Sequence, residues 1–479
     1  MRGGLHFRAG WCIMGRVMLS GGRTAEGNFM NIVIIGSGTV GAAICAQLEK
    51  EGHDVTVIDH NPAPLAELSG GCDVISYEGN GADVSVLRRA GAERADLLIA
   101  VTSQDEINIL CCAAARKLGT RHTIARVRNP AYSELMNLMQ KEMNLSLTIN
   151  PELAAAGEIY RTLRFPSAAK IETFCHGKVE MAEFVVGAHS PIAGVTLNDL
   201  RARLNLRFLV CGVLRGEDAY IPSGDFILQA GDAVCVTAPD EEITQFFKAI
   251  GVYRKPVKDV LIVGGGRTVY YLLEMLRNAG IRATVIEKDK QRCHALAEQY
   301  SCTVICDDGS RQELLREEGI ATTDAFLALS DVDEENAIIS LYAKTQGVEK
   351  VITMISAMPY VDFFKGVGLE SVVSPKSSTT STILRYVRSM ANAHDSEIES
   401  LYRIMEGRIE TLEFVVKEEI AGLTGVPLRE LHCRAGVLIA CIVGEGGVLI
   451  PTGGDCIRCG DTVIVISSRG QMNSIKDIL

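Results

Sequence analysis

Ile32-Val33-Ile34-Ile35-Gly36-Ser37-Gly38-Thr39-Val40-Gly41 is an apolar run of strand length that ends in a Gly-x-Gly-x-x-Gly turn and opens onto a segment of helical period, residues 42–51. In that setting each glycine has a separate task. Gly36 permits the tight turn, Gly38 lets backbone approach a pyrophosphate, and Gly41 lets helix and strand pack closely. The first helical turn then presents free amides and a partial positive charge to phosphate oxygens. The stretch predicts a strand, turn and helix that cradle a dinucleotide, against the plainer reading of a glycine-rich turn without ligand.

The strand ends that follow supply the other candidates. Asp59 closes Thr56-Val57-Ile58-Asp59, 18 residues past Gly41, near the ~20 at which an acid meets the ribose. Its carboxylate accepts from both ribose hydroxyls and repels a 2′-phosphate, which favours NAD over NADP. Gly79-Asn80-Gly81 follows the third strand, and Thr102-Ser103 follows the strand at 97–101. Ser103-x-x-Glu106 also reads as a capping box, so this pair serves helix initiation, ligand contact or both. Arg126 can pair bidentately with phosphate oxygens, or it is a solvated surface arginine. The candidate cofactor set is Gly36, Ser37, Gly38, Thr39, Val40, Gly41, Asp59, Asn80, Gly81, Thr102, Ser103 and Arg126.

The opening stretch occurs twice. Val260-Leu261-Ile262-Val263-Gly264-Gly265-Gly266 repeats it at a shift of 228 residues, and the register holds without a gap. Thr284-Val285-Ile286-Glu287 answers Thr56–Asp59, and Asp333-Glu334-x-Asn336 answers Asp105-Glu106-x-Asn108. A repeat of this length means that a whole domain has been duplicated. Each copy also carries a β-rich second part, marked by Ile221-Pro222-Ser223-Gly224 before Gly231-Asp232 and by Ile450-Pro451-Thr452-Gly453 before Gly460-Asp461.

Strands of about five residues alternate with helical segments such as 107–118, a pattern that predicts parallel sheets with helices on both faces. The expected fold class is α/β: two Rossmann-like doubly wound parallel-sheet domains, each followed by a small α+β domain, in tandem duplication. Expected limits are 30–155, 165–251, 257–380 and 396–479. Residues 1–29 fit no period and read as a disordered leader or upstream start, with Met30 as the natural beginning.

Composition narrows the function classes. Hydrophobic residues make up 47% and charged residues 22% of the 479, as in globular chains. A net charge of −11 disfavours nucleic acid and anionic lipid as partners. No stretch approaches the ~20 apolar residues of a membrane-spanning helix. The 15 cysteines are scattered, several inside strand-like runs (Cys211, Cys235, Cys441), as buried reduced thiols in a cytosol would be. Cys456-x-x-Cys459 lacks two further ligands for zinc, so no metal site is expected.

Residues 31–41, 55–59, 79–81, 100–108 and 125–130, the two Ile-Pro-x-Gly…Gly-Asp segments and their tandem order together resemble the TrkA family. These are peripheral NAD-binding subunits of bacterial Trk potassium uptake, built from RCK N-domains and RCK C-domains. The resemblance spans essentially residues 30–479. It implies a cytosolic regulatory assembly, four chains in a ring, held at the inner face of the plasma membrane by a potassium-translocating subunit of the TrkH or TrkG type. It also implies control by NAD or NADH, with ATP or ADP as further ligands, and no catalytic residues.

The second copy departs from the pattern. Val269 replaces the third glycine, where its side chain is expected to crowd the contact of helix and strand, and Met354 stands at the position of Arg126. Gly264, Gly266, Glu287, Asp308 and Ser330 remain as candidates for weak binding, for a smaller ligand or for scaffold. Three rival functions are a nicotinamide-dependent dehydrogenase, a redox-sensing repressor and a regulator of another cation transporter or antiporter. The nine histidines form no paired arrangement that offers a positioned acid or base. The basic leader (Arg2, Arg8, Arg16, Arg23) has no amphipathic period for DNA.

Overall fold

The computed structural model describes residues 29–129, 132, 145–165, 167–168, 170–253, 255–357, 360–369, 371–393, 398–405, 407–468, 472 and 474–479. All of the proposed leader except Phe29 lies outside the described residues.

The run at 32–35 is buried along its whole length, with exposures of 1, 3, 0 and 2%. A strand covered on both faces belongs in the middle of a parallel sheet. That is its place. β1 (Asn31–Ile35), β2 (Asp54–Asp59), β3 (Ile75–Glu78), β4 (Leu97–Ala100), β5 (His122–Arg126) and β6 (Leu147–Ile149) form a parallel sheet of order β3-β2-β1-β4-β5-β6. Strand order reverses between β1 and β4, and the crevice outside their carboxyl ends is where such sheets bind ligands.

A five-stranded antiparallel sheet follows: β7 (Lys170–Phe174), β8 (Val179–Val185), β9 (Leu209–Arg215), β10 (Asp218–Tyr220) and β11 (Ala233–Thr237), ordered β10-β9-β11-β8-β7. The second half repeats both designs. β12 (Asp259–Val263), β13 (Arg282–Glu287), β14 (Thr303–Cys306), β15 (Ala325–Ala328), β16 (Lys350–Met354) and β17 (Ser371–Val373) form a parallel sheet of order β14-β13-β12-β15-β16-β17. β18 (Ile398–Ile404), β19 (Ile409–Val415), β20 (Val437–Gly444), β21 (Gly447–Leu449) and β22 (Thr462–Ser467) form the last sheet, of order β18-β19-β22-β20-β21.

The halves are joined by exchange. The helix Pro151–Arg164 starts at Pro151, with Asn150 capping the Leu153 amide at 2.9 Å. Its buried face, Ala155, Ala156, Ile159 and Leu163, joins the core of the second Rossmann unit with Ile262, Leu272 and Leu276. In return, Ile383, Leu384 and Val387 of the helix Pro375–Ala393 pack with Ile32, Ile34, Ile44 and Leu48 of the first unit. Each such side chain contributes about 1.5–3 kcal/mol on burial. Arg388 on the same helix grips Glu51, with Nε 3.1 and 3.2 Å from its two carboxylate oxygens.

The antiparallel sheets meet in a single core that includes Phe174, Cys211 and Cys235 from the first and Ile404, Cys441 and Ile464 from the second. Their contact is reciprocal. The Cys175 amide donates to Glu413 at 2.6 Å, and the Met405 amide donates to Glu183 at 3.4 Å. Cys175 (φ 50°) and Met405 (φ 52°) share the same left-handed backbone. The duplicated chain thus packs against itself about a pseudo-two-fold, much as two subunits of a symmetric dimer would.

Candidate functional site

A cleft of about 640 Å³ opens at the carboxyl ends of β1, β2, β4 and β5. Gly36, Gly38, Thr39, Val40, Asp59, Asn80, Gly81, Thr102, Ser103 and Arg126 line it. Ser37 and Gly41 stand behind this lining. Ser37 is buried and donates its amide (2.6 Å) and hydroxyl (2.9 Å) to Asp59 Oδ2. A Cβ on Gly41 would fall 1.8 Å from the Gly36 carbonyl oxygen, so glycine is obligatory there. Gly36 has φ +103°, which excludes ordinary side chains from the turn. Gly38 borders open space, with nothing within 4 Å of a built Cβ.

Asp59 is fixed at both oxygens, because Oδ1 accepts from the Asn61 amide at 2.9 Å and lies 3.2 Å from His60 Nδ1. Burial pushes its carboxyl up, but hydrogen bonds from Asn61 and Ser37 outweigh this and hold it below the usual carboxylate value. An ionised acceptor therefore stands at the end of β2, on the wall of the cleft. Asn80 Oδ1 accepts from the Ala82 amide (2.9 Å), which shapes the turn after β3.

Ser103 differs from the capping-box expectation. The helix Asp105–Leu118 has Gln104 at its N-cap without a side-chain hydrogen bond, and Ser103 is exposed. The carboxylate of Asp105 is turned instead to the next strand end, where it accepts from the Arg128 (2.9 Å) and Asn129 (2.8 Å) amides. Capping thus leaves Ser103 free to face the cleft.

Arg126 is half-buried and donates through Nη2 to the Thr102 carbonyl. Its buried Nε has no acceptor among the described residues. Burial first, and the Arg128 charge second, lower its pKa, yet a guanidinium remains a cation at any physiological pH. The guanidinium lines the cleft, where its charge can meet an anion.

In the second copy Gly264, Gly266, Glu287, Asp308 and Ser330 also line one cleft, but it measures about 90 Å³. Glu287 reaches the Gly265 amide at 2.6 Å and the Asp289 amide at 2.8 Å. A Cβ on Gly265 would meet Glu287 Oε2 at 2.9 Å, so Gly265 with Glu287 replaces Ser37 with Asp59 as a matched pair. Arg292 lies across this cleft, 3.9 Å from Glu287 and 3.6 Å from Asp331. Val269 does not crowd its surroundings as expected. It is fully buried in the core with Val260, Ile262 and Leu272, where its methyls find apolar neighbours. Met354 is likewise in that core.

Residues 32–146 and 260–375 match the TrkA-N domain, and residues 181–251 match the TrkA-C domain. A Trk system potassium uptake protein TrkA homolog of Archaeoglobus fulgidus is 33% identical over 451 residues, covering 94% of this chain and 100% of that protein. The chain belongs to the TrkA family. Haemophilus influenzae TrkA, a Trk system potassium uptake protein, is 29% identical over 94% of this chain and 98% of its own length. Among solved structures, the GsuK RCK domain superposes with a TM-score of 0.60 at 18% identity, covering 92% of each chain. That likeness is one of fold, and it places this TrkA-family chain among tandem RCK architectures.

Three residues of the TrkA-family site escape a reading of strand ends. Asn108, fully buried, accepts from the Thr102 amide (2.8 Å) and hydroxyl (2.7 Å) and donates to the Arg126 carbonyl (2.9 Å). Its counterpart Asn336 holds the Ser330 amide and the Met354 carbonyl in the same way. The signal was present in the repeated Asp-Glu-x-Asn pattern. Arg128 and Lys376 also line the first cleft, and Lys376 comes from the far half of the chain. Only the exchange of helices brings it there. Among the described residues, no cluster of three metal-binding side chains occurs and no helix is long and apolar enough to cross a membrane.

Proposed function

We propose that this chain is a non-catalytic regulatory subunit of potassium uptake whose first copy binds NAD or NADH. Gly36, Gly38 and Thr39 face the pyrophosphate, Asp59 the adenosine ribose, and Arg126 a phosphate. Asn80, Gly81, Thr102 and Ser103 complete the walls. The observation that carries the reading is that an ionised Asp59 and the Arg126 guanidinium line one and the same cleft. Arg128 and Lys376 add positive charge at the same mouth, which favours ATP or ADP as further ligands.

The units 30–155 and 165–251 form the first copy, which carries the main nucleotide switch, and 257–380 and 396–479 form the second, which chiefly holds the assembly together. Four chains form a ring at the cytoplasmic face, docked on a potassium-translocating membrane subunit of the TrkH or TrkG type. A ligand gates that partner only to the extent that it binds open and closed rings unequally. Isothermal titration of NAD, NADH, NADP and ATP into the full chain tests the reading. NAD or NADH binding more tightly than NADP, and lost in Asp59→Ala, is expected. Equal affinity for NADP overturns the ribose assignment.

A further inference from the structure

Behind the wall of the second cleft, two cysteines approach one another from different elements. β14 runs parallel to β13 and sets Cys306 in register with Glu287. From the helix Lys290–Gln299, Cys293 donates through Sγ to the Glu287 carbonyl at 3.1 Å. Both cysteines thus stand beside Glu287, Cys293 bonded to its carbonyl and Cys306 opposite it on the neighbouring strand. Both are free, Cys306 exposed and Cys293 buried. The first copy has Leu65 and Glu78 at these positions, so the pair belongs to the second copy alone.

We propose that Cys293 and Cys306 are a peroxide-sensitive dithiol that closes to an intrachain disulfide. The exposed Cys306 attacks first. Its sulfur displaces at the peroxide O–O bond, an S–O bond forms, and the departing hydroxide takes the thiol proton and leaves as water. The Cys293 sulfur then attacks the Cys306 sulfenic acid. The S–S bond forms as the S–O bond breaks, and the second water carries off the Cys293 proton. Two thiols lose two electrons and one peroxide becomes two waters. Burial, together with Cys306, Glu287 and Asp289, pushes the Cys293 thiol up to about 12. It is thus a poor first nucleophile, suited to resolving an oxidised neighbour placed beside it.

The location gives the bond a consequence. Arg292, next to Cys293 on the same helix, crosses the cleft to Glu287 and Asp331. Tying that helix to β14 holds the arginine there and keeps the second cleft narrow.

The test uses the reduced full-length chain and one equivalent of hydrogen peroxide, followed by non-reducing peptide mapping and hydrogen exchange. The expected product is one peptide joining Cys293 to Cys306, two hydrogens lighter than the separate thiols. It is reversed by dithiothreitol and absent in Cys306→Ser, and exchange across Lys290–Gln299 slows severalfold on oxidation. In Cys293→Ser the sulfenic acid on Cys306 persists and is captured by a dimedone probe. Over-oxidation of Cys306 with Cys293 still free, a link to another cysteine or another chain, or unchanged exchange across Lys290–Gln299 overturns the proposal.

Discussion

Asn108 Nδ2 donates to the Arg126 carbonyl at 2.9 Å, while its Oδ1 holds the Thr102 amide and hydroxyl. One buried amide therefore fixes the ends of β4 and β5, the two strand ends on the side of the cleft opposite Asp59. Asn108→Ala leaves buried backbone groups without partners, at a cost of roughly 1–3 kcal/mol. Thermal unfolding should register that loss, and titration should show weaker nucleotide binding. Asn336→Ala, which breaks the equivalent contacts to Ser330 and Met354, should lower stability by a similar amount while leaving first-copy affinity unchanged. Equal losses of affinity in both variants would contradict the division between copies.

The lowered pKa of Asp59 makes a prediction in acid. Its folded value lies below its ordinary 3.8, so the unfolded chain binds this proton more readily. The stabilisation is complete above the ordinary value and is lost as pH falls through the folded one. Unfolding midpoints of the wild type and Asp59→Asn should differ at neutral pH and converge below about pH 3.8. A difference that stays constant down to the lowest pH at which both fold would mean that the carboxylate charge is not involved.

The exchanged helices should make the halves interdependent. Arg388 and Glu51 are each about 85% buried at the side chain, having 15 and 16% exposure, and Arg403 of β18 lies 3.7 Å from the same Glu51. Glu51→Gln and Arg388→Gln should each destabilise by roughly 1–3 kcal/mol. The double variant should cost less than their sum, because the residues share one interaction. Additive losses in a double-mutant cycle would show that the pair is not energetically coupled.

How far the sequence carries follows from which forces are local. The glycine turn, the strand at 32–35 and the 228-residue repeat are properties of short segments, and both Rossmann sheets follow from them. Gly41 illustrates this, since its need for no side chain arises from a carbonyl five residues away. The helix Pro375–Ala393 shows the opposite. Its pattern announces a buried face but not that the face packs against the first copy, so Lys376 at the first cleft was invisible. Val269 departs from expectation for a related reason: crowding follows from the glycine pattern of the first copy, whereas its own core supplies apolar neighbours to receive it. The Ser103 capping box does not form, because the helix starts one residue later with Gln104 at its N-cap and Glu106 accepts instead from the Tyr132 hydroxyl at 2.6 Å.

On the proposed reading the copies are unequal, with the nucleotide switch in the first and only a small cleft, crossed by Arg292, at the matching strand ends of the second. The first cleft holds about 640 Å³ and the cation Arg126, whereas the second holds about 90 Å³ and Met354 stands at the matching position. Loss of a charge-assisted phosphate contact costs about 1.5–3 kcal/mol, one to two decades of affinity. Isothermal titration of NADH into the full chain, repeated with Arg126→Met, measures this directly. One tight site per chain, weakened about ten- to a hundredfold by that substitution, is the predicted result. Two equally tight sites per chain, or a tight site indifferent to Arg126→Met, would contradict the account.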